Sequence, residues 1–270
     1  MLLLFGQFII IIIIQRSHAL TAAAAAAPPG RRRLSGVLFD CDGVLADTEP
    51  DGHRVAFNAA FEEKGFAAAD DVLWDVDLYG ELLETGGGKE RMTAFWNKVG
   101  WPEGYDTEDS RSVLVRELHA RKTQLFNEMI SNGDIPLRPG VLRVIDEALA
   151  EGVPVAVCST SSEQAVSNLV RVLMGDERAD KIRIFAGDVV AKKKPAPDVY
   201  LLAAETMDLD SGACVVVEDS SIGLRAAKAA GMWCIITKSS YAHREDFGIA
   251  DKVVDDLGEI TLDTIKSIII

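Results

Sequence analysis

Five short runs of apolar, mostly β-branched residues punctuate the chain, and each ends on polar residues. They are SGVLFD (35–40), VPVAVCS (153–159), KIRIFAGD (181–188), ACVVVED (213–219) and MWCIIT (232–237). Runs of this length bounded by polar residues predict strands, apolar on both faces. Between the later ones, apolar residues recur at helical spacing over 141–151, 162–174, 197–207 and 221–230. Strands alternating with helices predict an α/β fold, a parallel sheet covered on both faces. In such a sheet the ligand crevice lies at the carboxyl ends of the strands.

The first interval breaks the rhythm. Roughly 110 residues separate the first run from the second, far more than one crossover helix requires. Within them, 51–66, 87–100 and 109–131 have helical patterning. The expectation is a helical domain, 51–134, inserted into a catalytic core made of 34–50 and 135–270. PLRPG (136–140) returns the chain to that core.

Residues 1–33 have another character. LLLFGQFIIIIII (2–14) has the length of a signal-peptide core and is short for a bilayer span. SHA (17–19) offers a cleavage site, and LTAAAAAAPPGRRR (20–33) has the alanine-rich, arginine-rich, acid-free composition of a transit peptide. The pair reads as a two-part address to the plastid, the chloroplast stroma, with secretion or an uncleaved anchor as the alternatives. The mature protein is expected to have no membrane segment.

Charge narrows the partners. The chain carries −14 at neutral pH, and setting aside the four arginines of residues 1–33 leaves −18 on the rest. Nucleic acid is therefore not an expected partner. The four cysteines, Cys41, Cys158, Cys214 and Cys234, lack metal-site spacing and lie in or beside strand-like runs, as small buried apolar residues do.

The chemistry sits at the strand ends. The first strand ends in Asp40 and Asp42, and the second in Ser159, Thr160 and Ser161. KKKPAPD (192–198) follows the third, and Glu218-Asp219 ends the fourth. A parallel sheet brings all these tips to one edge. Four carboxylates together require a cation. Oxygen ligands without a histidine or cysteine set favour a hard ion, Mg²⁺ above all. Hydroxyls and a lysine beside it suit a phosphate, so the reaction class is phosphoryl transfer with an aspartate as nucleophile. An Asp-x-Asp triplet alone is a weak signal. DVD (75–77) and DLD (208–210) lie away from strand ends and read as solvated acids; only DCD (40–42) follows a strand and precedes a glycine.

The set FDCDGVLADTE, VCSTS, KPAPD and VVVEDSSIG resembles the four motifs of the haloacid-dehalogenase superfamily. The resemblance covers nearly the whole chain from about residue 35. It implies a Rossmann-like core with a four-helix type of cap. DGH (51–53), WDVDLYGELLETGGGKERM (74–92) and VGWPE (99–103) are similar to the CbbY-type members, phosphatases acting on xylulose-1,5-bisphosphate. That resemblance implies roles. Asp40 is the nucleophile that becomes an aspartyl phosphate, and Asp42 the general acid and base. Asp40, the Asp42 carbonyl and Asp219 ligate Mg²⁺, with Glu218 holding metal-bound water. Ser159 and the Thr160 amide, beside Ser161, grip phosphoryl oxygens, and Lys194 bridges Asp40 and the phosphate.

GGGKER (86–91) is not a nucleotide P-loop, because Leu83 stands where the first glycine belongs and Glu90 follows Lys89. A glycine run opening a helix still offers amides to an anion. An ordinary helix start with solvated charges is one reading of the stretch; the resemblance implies the other, in which Gly86, Gly87, Gly88, Lys89 and Arg91 hold the second phosphate of a small sugar bisphosphate. Glu49 is expected at the sugar hydroxyls, and His53 is expected to orient Asp42 or the substrate. A β-phosphoglucomutase-type mutase shares every core motif, and a non-catalytic sugar-phosphate sensor shares the fold. The intact acids and Lys194 speak against the sensor.

Overall fold

The computed structural model of the 270-residue chain describes residues 33–66, 72–85, 87–242 and 245–269. Six strands form one parallel sheet in the order β3-β2-β1-β4-β5-β6. They are β1 (Gly36–Phe39), β2 (Val155–Cys158), β3 (Arg183–Phe185), β4 (Cys214–Glu218), β5 (Trp233–Thr237) and β6 (Lys252–Val254). The five expected strands are present. The third is shorter than its apolar run, because only three of its residues pair with β2. The sixth was not anticipated: its three residues are all partly exposed and carry no buried apolar signal.

Strand side chains alternate between the faces, so one sequence run feeds two cores. Val37, Phe39, Val155, Val157, Val215, Val217 and Ile235 join one buried cluster. It is completed by residues of α5 (Val141–Ala150), α6 (Glu163–Met174), the short α7 (Asp176–Ala179) and α10 (Leu262–Ile268). Leu38, Ala156, Cys158, Cys214, Val216, Cys234 and Ile236 join the other, against α8 (Asp198–Thr206) and α9 (Ser221–Ala229). Each large aliphatic side chain so buried contributes about 1.5–3 kcal/mol. All four cysteines are free and buried.

Between β1 and β2 lie a π-helical turn, Glu49–His53, and the helices α1 (Arg54–Glu63), α2 (Val76–Leu82), α3 (Gly88–Val99) and α4 (Glu108–Asn132). They share a third core, with Phe57, Phe61, Trp74, Tyr79, Phe95, Trp96, Leu114 and Leu118 buried together. Helix α2 was not foreseen. Asp75, expected to be a solvated acid, caps it by accepting from the Leu78 amide at 2.7 Å. Helix α4 starts in a capping box, with Thr107 and Ser110 satisfying each other's amides.

No helix among the described residues is long and apolar enough to cross a membrane. The proposed targeting segment, save Arg33, lies outside the described residues.

Candidate active site

The carboxyl ends of β1, β2 and β4 meet, as parallel strands must, and their tips build one crevice. Asp40 follows β1 and is buried; Glu218 ends β4 and is fully buried. Between them reaches Lys194, from the loop before α8. Its Nζ donates to Asp40 Oδ1 at 2.6 Å, to Glu218 Oε1 at 2.6 Å and to the Cys158 carbonyl at 3.0 Å. Three acceptors use all three ammonium protons. Burial opposes the Lys194 charge, but Asp40 and Glu218 outweigh it and hold the ammonium well above the ordinary lysine range.

Both oxygens of Glu218 are engaged. Oε1 accepts from Lys194 and from Tyr200 Oη at 2.9 Å, while Oε2 accepts from the Asp219 amide, the Ser220 amide and Ser220 Oγ. Burial pushes its carboxyl up, but Lys194, Tyr200 and the Asp219 amide together hold it below the usual value. These bonds hold the Glu218 carboxylate in one orientation at the end of β4. What Glu218 does in this geometry is fix Lys194.

Asp40 differs. Burial pushes its carboxyl up to about 7; Lys194 pulls it back, and Glu218 and Asp42 add to the rise. Asp219 is pushed well above the carboxylate range by burial, then by Glu218 and Asp40, against a hydrogen bond from Ser239. Asp40, Glu218 and Asp219 each offer an oxygen within 4.8 Å of the others. Buried acids that repel one another this way are the donor set a hard cation stabilises. All three offer such an oxygen, and Glu218 is the one most engaged by hydrogen bonds. Gly43 makes the crowding possible: at φ +80° it rests on Asp219, and a Cβ there would lie 1.9 Å from Asp219 Oδ2.

Asp42 stands beside this group and is held from three sides. Thr48 Oγ1 donates to its Oδ1 at 2.7 Å, and Ser161 Oγ to its Oδ2 at 2.6 Å, with Ser159 Oγ at 3.5 Å. The hydroxyls expected to grip a phosphate are thus turned to the acid. Thr160 is exposed and lines a separate cavity with Gly187 and Asp188.

The helical insert contributes the other wall. A cavity of about 270 Å³ is lined by Asp42, His53, Lys122, Phe126 and Ser161 among others. A larger one, about 940 Å³, lies within the insert beside Trp96 and is lined by the VGWPE stretch (99–103), but by none of the strand-end residues. His53 does not pair with Asp42 among the described contacts. Its Nδ1 lies 2.7 Å from Lys122 Nζ, and its ring stacks on Phe126 at 3.9 Å. Burial, then Lys122, Arg91 and His119, push His53 well below the histidine range, so it is the neutral acceptor of the Lys122 proton.

Lys122 is the site residue the sequence reading missed. It is buried in α4, with Nζ 4.9 and 5.0 Å from the ring centroids of Phe57 and Phe126. Burial pushes it down to about 8, Glu49 and Asp42 raise it and Arg91 lowers it. A signal was available: Leu114, Leu118, Lys122, Phe126 and Ile130 recur every four residues on one buried helix face. A single lysine inside such a stripe is out of place unless a site requires it.

Glu49 faces the same space. Tyr79 Oη donates to its Oε2 at 2.6 Å, and Arg91 Nη1 donates to Tyr79 Oη at 2.8 Å. Arg91 also donates from Nε to the Leu82 carbonyl at 3.1 Å and is buried. This corrects the expectation of a free anion-binding cation: Arg91 is committed to bracing Tyr79. Lys89 is exposed near the start of α3, and Gly87 caps that helix at φ +89°. Gly88 packs on His119, so that histidine borders the loop. Gly86 lies outside the described residues.

The family model of haloacid dehalogenase-like hydrolases matches residues 34–231. The chain belongs to that family. This hydrolase is 60% identical to a CBBY-like protein of Arabidopsis thaliana, over 83% of this chain and 70% of that protein. It is 40% identical to the plasmid-borne protein CbbY of Cupriavidus necator, over 84% of this chain and 87% of that one. Among solved structures it matches a mutant of CbbY from Rhodobacter sphaeroides in complex with xylulose-(1,5)bisphosphate. The identity there is 39% and the TM-score 0.65, over 84% of this chain and 96% of that one. This haloacid dehalogenase-like hydrolase is an enzyme of the phosphatase type.

Proposed function

We propose that the chain is a Mg²⁺-dependent sugar-bisphosphate phosphatase that hydrolyses xylulose-1,5-bisphosphate to xylulose 5-phosphate and phosphate through an aspartyl phosphate. The observation that carries the phosphatase chemistry is Lys194 fixed between Asp40 and Glu218 with Asp42 alongside. Support for the substrate comes from likeness to CbbY, which has been crystallised with that bisphosphate.

Lys194 occupies Oδ1 of Asp40, which leaves Oδ2 as the attacking oxygen. As Oδ2 bonds to phosphorus, the bond to the sugar oxygen breaks, and Asp42 gives that oxygen its proton. Water then attacks the acyl phosphate. Asp42 takes the water's proton, and phosphate leaves with Asp40 restored. Thr48, Ser159 and Ser161 keep Asp42 in place for both steps. Asp40, Asp219 and the Asp42 carbonyl are the groups to hold Mg²⁺, which supplies positive charge to the acids and the phosphoryl oxygens when bound.

The helical insert, 51–134, is the cap over the core formed by 34–50 and 135–270. Glu49, set by Tyr79, faces the sugar hydroxyls. Lys89, the amides of Gly87 and Gly88, and Lys122 are the cations and donors for the non-reacting phosphate. Residues 1–33 form a two-part plastid address, and a plant relative 60% identical to the chain is consistent with it. Mass spectrometry of the native N-terminus tests that point: recovery of intact Met1 in a membrane fraction would reject it.

A phosphate-release panel of sugar mono- and bisphosphates, run with and without Mg²⁺, tests the proposal. Xylulose-1,5-bisphosphate should give the highest kcat/KM, and EDTA should abolish it. Exchange of the phosphoryl group between sugars, without net phosphate release, would turn the assignment to a mutase.

A further inference from the structure

The chain leaves the core after β1 and returns to it before α5, and the two passages are paired. Ala46, on the way out, forms an antiparallel bridge with Leu137 on the way back, and the Arg138 amide donates to the Leu45 carbonyl at 2.8 Å. The outgoing passage is a tight turn. Its Gly43 amide donates to the Ala46 carbonyl at 2.8 Å, and its Leu45 amide to the Cys41 carbonyl at 2.9 Å. A peptide is planar, so the bond from the Gly43 amide also aims the Asp42 carbonyl on the opposite side of that plane.

The Arg138 side chain holds the next peptide. Its Nη1 donates to the Gly43 carbonyl and lies 3.3 Å from Thr237 Oγ1. Its Nη2 donates to the Lys238 carbonyl at 2.5 Å and to the Asp255 carbonyl at 2.9 Å. These acceptors lie at the carboxyl ends of three strands, β1, β5 and β6. A planar fork with donors on two nitrogens spans them, where a single ammonium centre does not. The turn so held touches the acids. Gly43 rests on Asp219, and a Cβ there would lie 1.9 Å from Oδ2 and 3.2 Å from the Asp219 Cβ. Thr237, buried beside Arg138, reaches the Glu218 carbonyl with Oγ1 at 3.5 Å, one residue before Asp219.

We propose that Arg138 is a positioning residue for the cation corner: by holding the Gly43 carbonyl, it sets the turn that carries the Asp42 carbonyl and confines the Asp219 carboxylate. The proposal rests on the reading of Asp219 and the Asp42 carbonyl as Mg²⁺ ligands. Charge and geometry here predict opposite signs. As a positive charge alone, a guanidinium disfavours a cation nearby, and removing it would tighten Mg²⁺ binding. As a brace, its removal frees the turn and weakens that binding.

The test is a Mg²⁺ titration read by melting temperature, which requires no substrate. Arg138→Met keeps a long side chain and removes every donor. Arg143→Met is the matched control: Arg143, in α5, donates to the Leu257 and Gly258 carbonyls at 2.8 Å, away from the Gly43 turn. Arg138→Met should need about tenfold more Mg²⁺ for half of its thermal shift, the weight of one hydrogen bond from a charged donor. Arg143→Met should melt lower without Mg²⁺ and keep the wild-type half-point. Arg138→Lys retains the charge without the fork and should also raise the half-point. A wild-type half-point in Arg138→Met, or in Arg138→Lys where the methionine variant does not fold, would make Arg138 a fold residue only and overturn the proposal. Tighter Mg²⁺ binding in Arg138→Met, or an equal rise of the half-point in Arg143→Met, would overturn it as well. A wild-type protein with no Mg²⁺ response would instead overturn the metal reading itself.

Discussion

Lys194 Nζ lies 2.6 Å from Asp40 Oδ1, across 154 residues of sequence, and the same nitrogen is shared at 2.6 Å with Glu218. The lysine side chain is 7% exposed, and those of its two partners 12% and 1%. Replacing it by alanine leaves two buried carboxylates facing one another. Breaking such a pair from one side costs about 3–5 kcal/mol, a drop in Tm on the order of 10 °C for a domain of this size. Lys194→Ala should show both that drop in a thermal melt and a loss of phosphatase activity. An unchanged melt with lost activity would mean the lysine acts on substrate alone.

Asp40 and Asp42 should separate in their effects. Asp40→Asn removes the attacking oxygen and a cation ligand, so turnover should fall by about 10⁴-fold or more with the fold intact by circular dichroism. Asp42→Asn leaves the nucleophile and removes the proton carrier. It should slow both half-reactions, and a covalent phosphoenzyme should accumulate wherever breakdown slows more than formation. Normal turnover in either variant would remove that residue from the mechanism.

The two basic residues of the α3 start should behave differently, because one is exposed and one is buried. Lys89→Ala should cut kcat/KM for the bisphosphate by about 10²-fold, the value of a charge-assisted contact of roughly 2–3 kcal/mol, while sparing p-nitrophenyl phosphate. Arg91→Met should lower Tm and depress both substrates, since it releases Tyr79 and through it Glu49. Equal losses on both substrates for Lys89→Ala would mean that Lys89 supports the fold.

Lys122 gives a pH signature. Burial holds it down to about 8, so its charge beside the cavity is lost as pH rises through that value. The kcat/KM profile for the bisphosphate, which reports the free enzyme, should fall on the alkaline side with an apparent pKa near 8. Stability should move the opposite way. From about 8 up to the ordinary lysine value the unfolded chain binds the proton more, so this group makes stability rise with pH. Lys122→Met should remove both effects in paired kinetic profiles and denaturant melts. An alkaline limb unchanged in Lys122→Met would assign it to another group.

The parts of the site that lie on strands were legible in the sequence because a parallel sheet converts sequence order into position. Asp40, Ser159 and Glu218 needed only the rule that strand ends converge, while Lys194, in the loop between β3 and α8, was picked out by the motif it resembles. The insert was harder, since helices pack by shape, and shape is not written in period alone. Lys122 looked like one more charge in HARKTQLF, although its four-residue phase with Leu118 and Phe126 marked it. Arg91 and Tyr79 could not be paired from sequence, because the contact depends on how α2 leans on α3. Glu218 was placed correctly at its strand end, but its hydrogen-bonded oxygens are visible only once Tyr200 and Ser220 are in place. Strand β6 escaped notice because an edge strand of three part-exposed residues has no apolar pattern to show.

The covalent intermediate is the central claim, and its position in the chain can be read directly. Asp42→Asn protein is mixed with xylulose-1,5-bisphosphate and Mg²⁺, quenched, and reduced with borohydride, which converts an aspartyl phosphate to homoserine. Peptide mass spectrometry should find homoserine at position 40, dependent on both substrate and Mg²⁺. Homoserine at another acid, or none at 40 in the Asp42→Asn and wild-type proteins alike when each is quenched during turnover, would contradict the account.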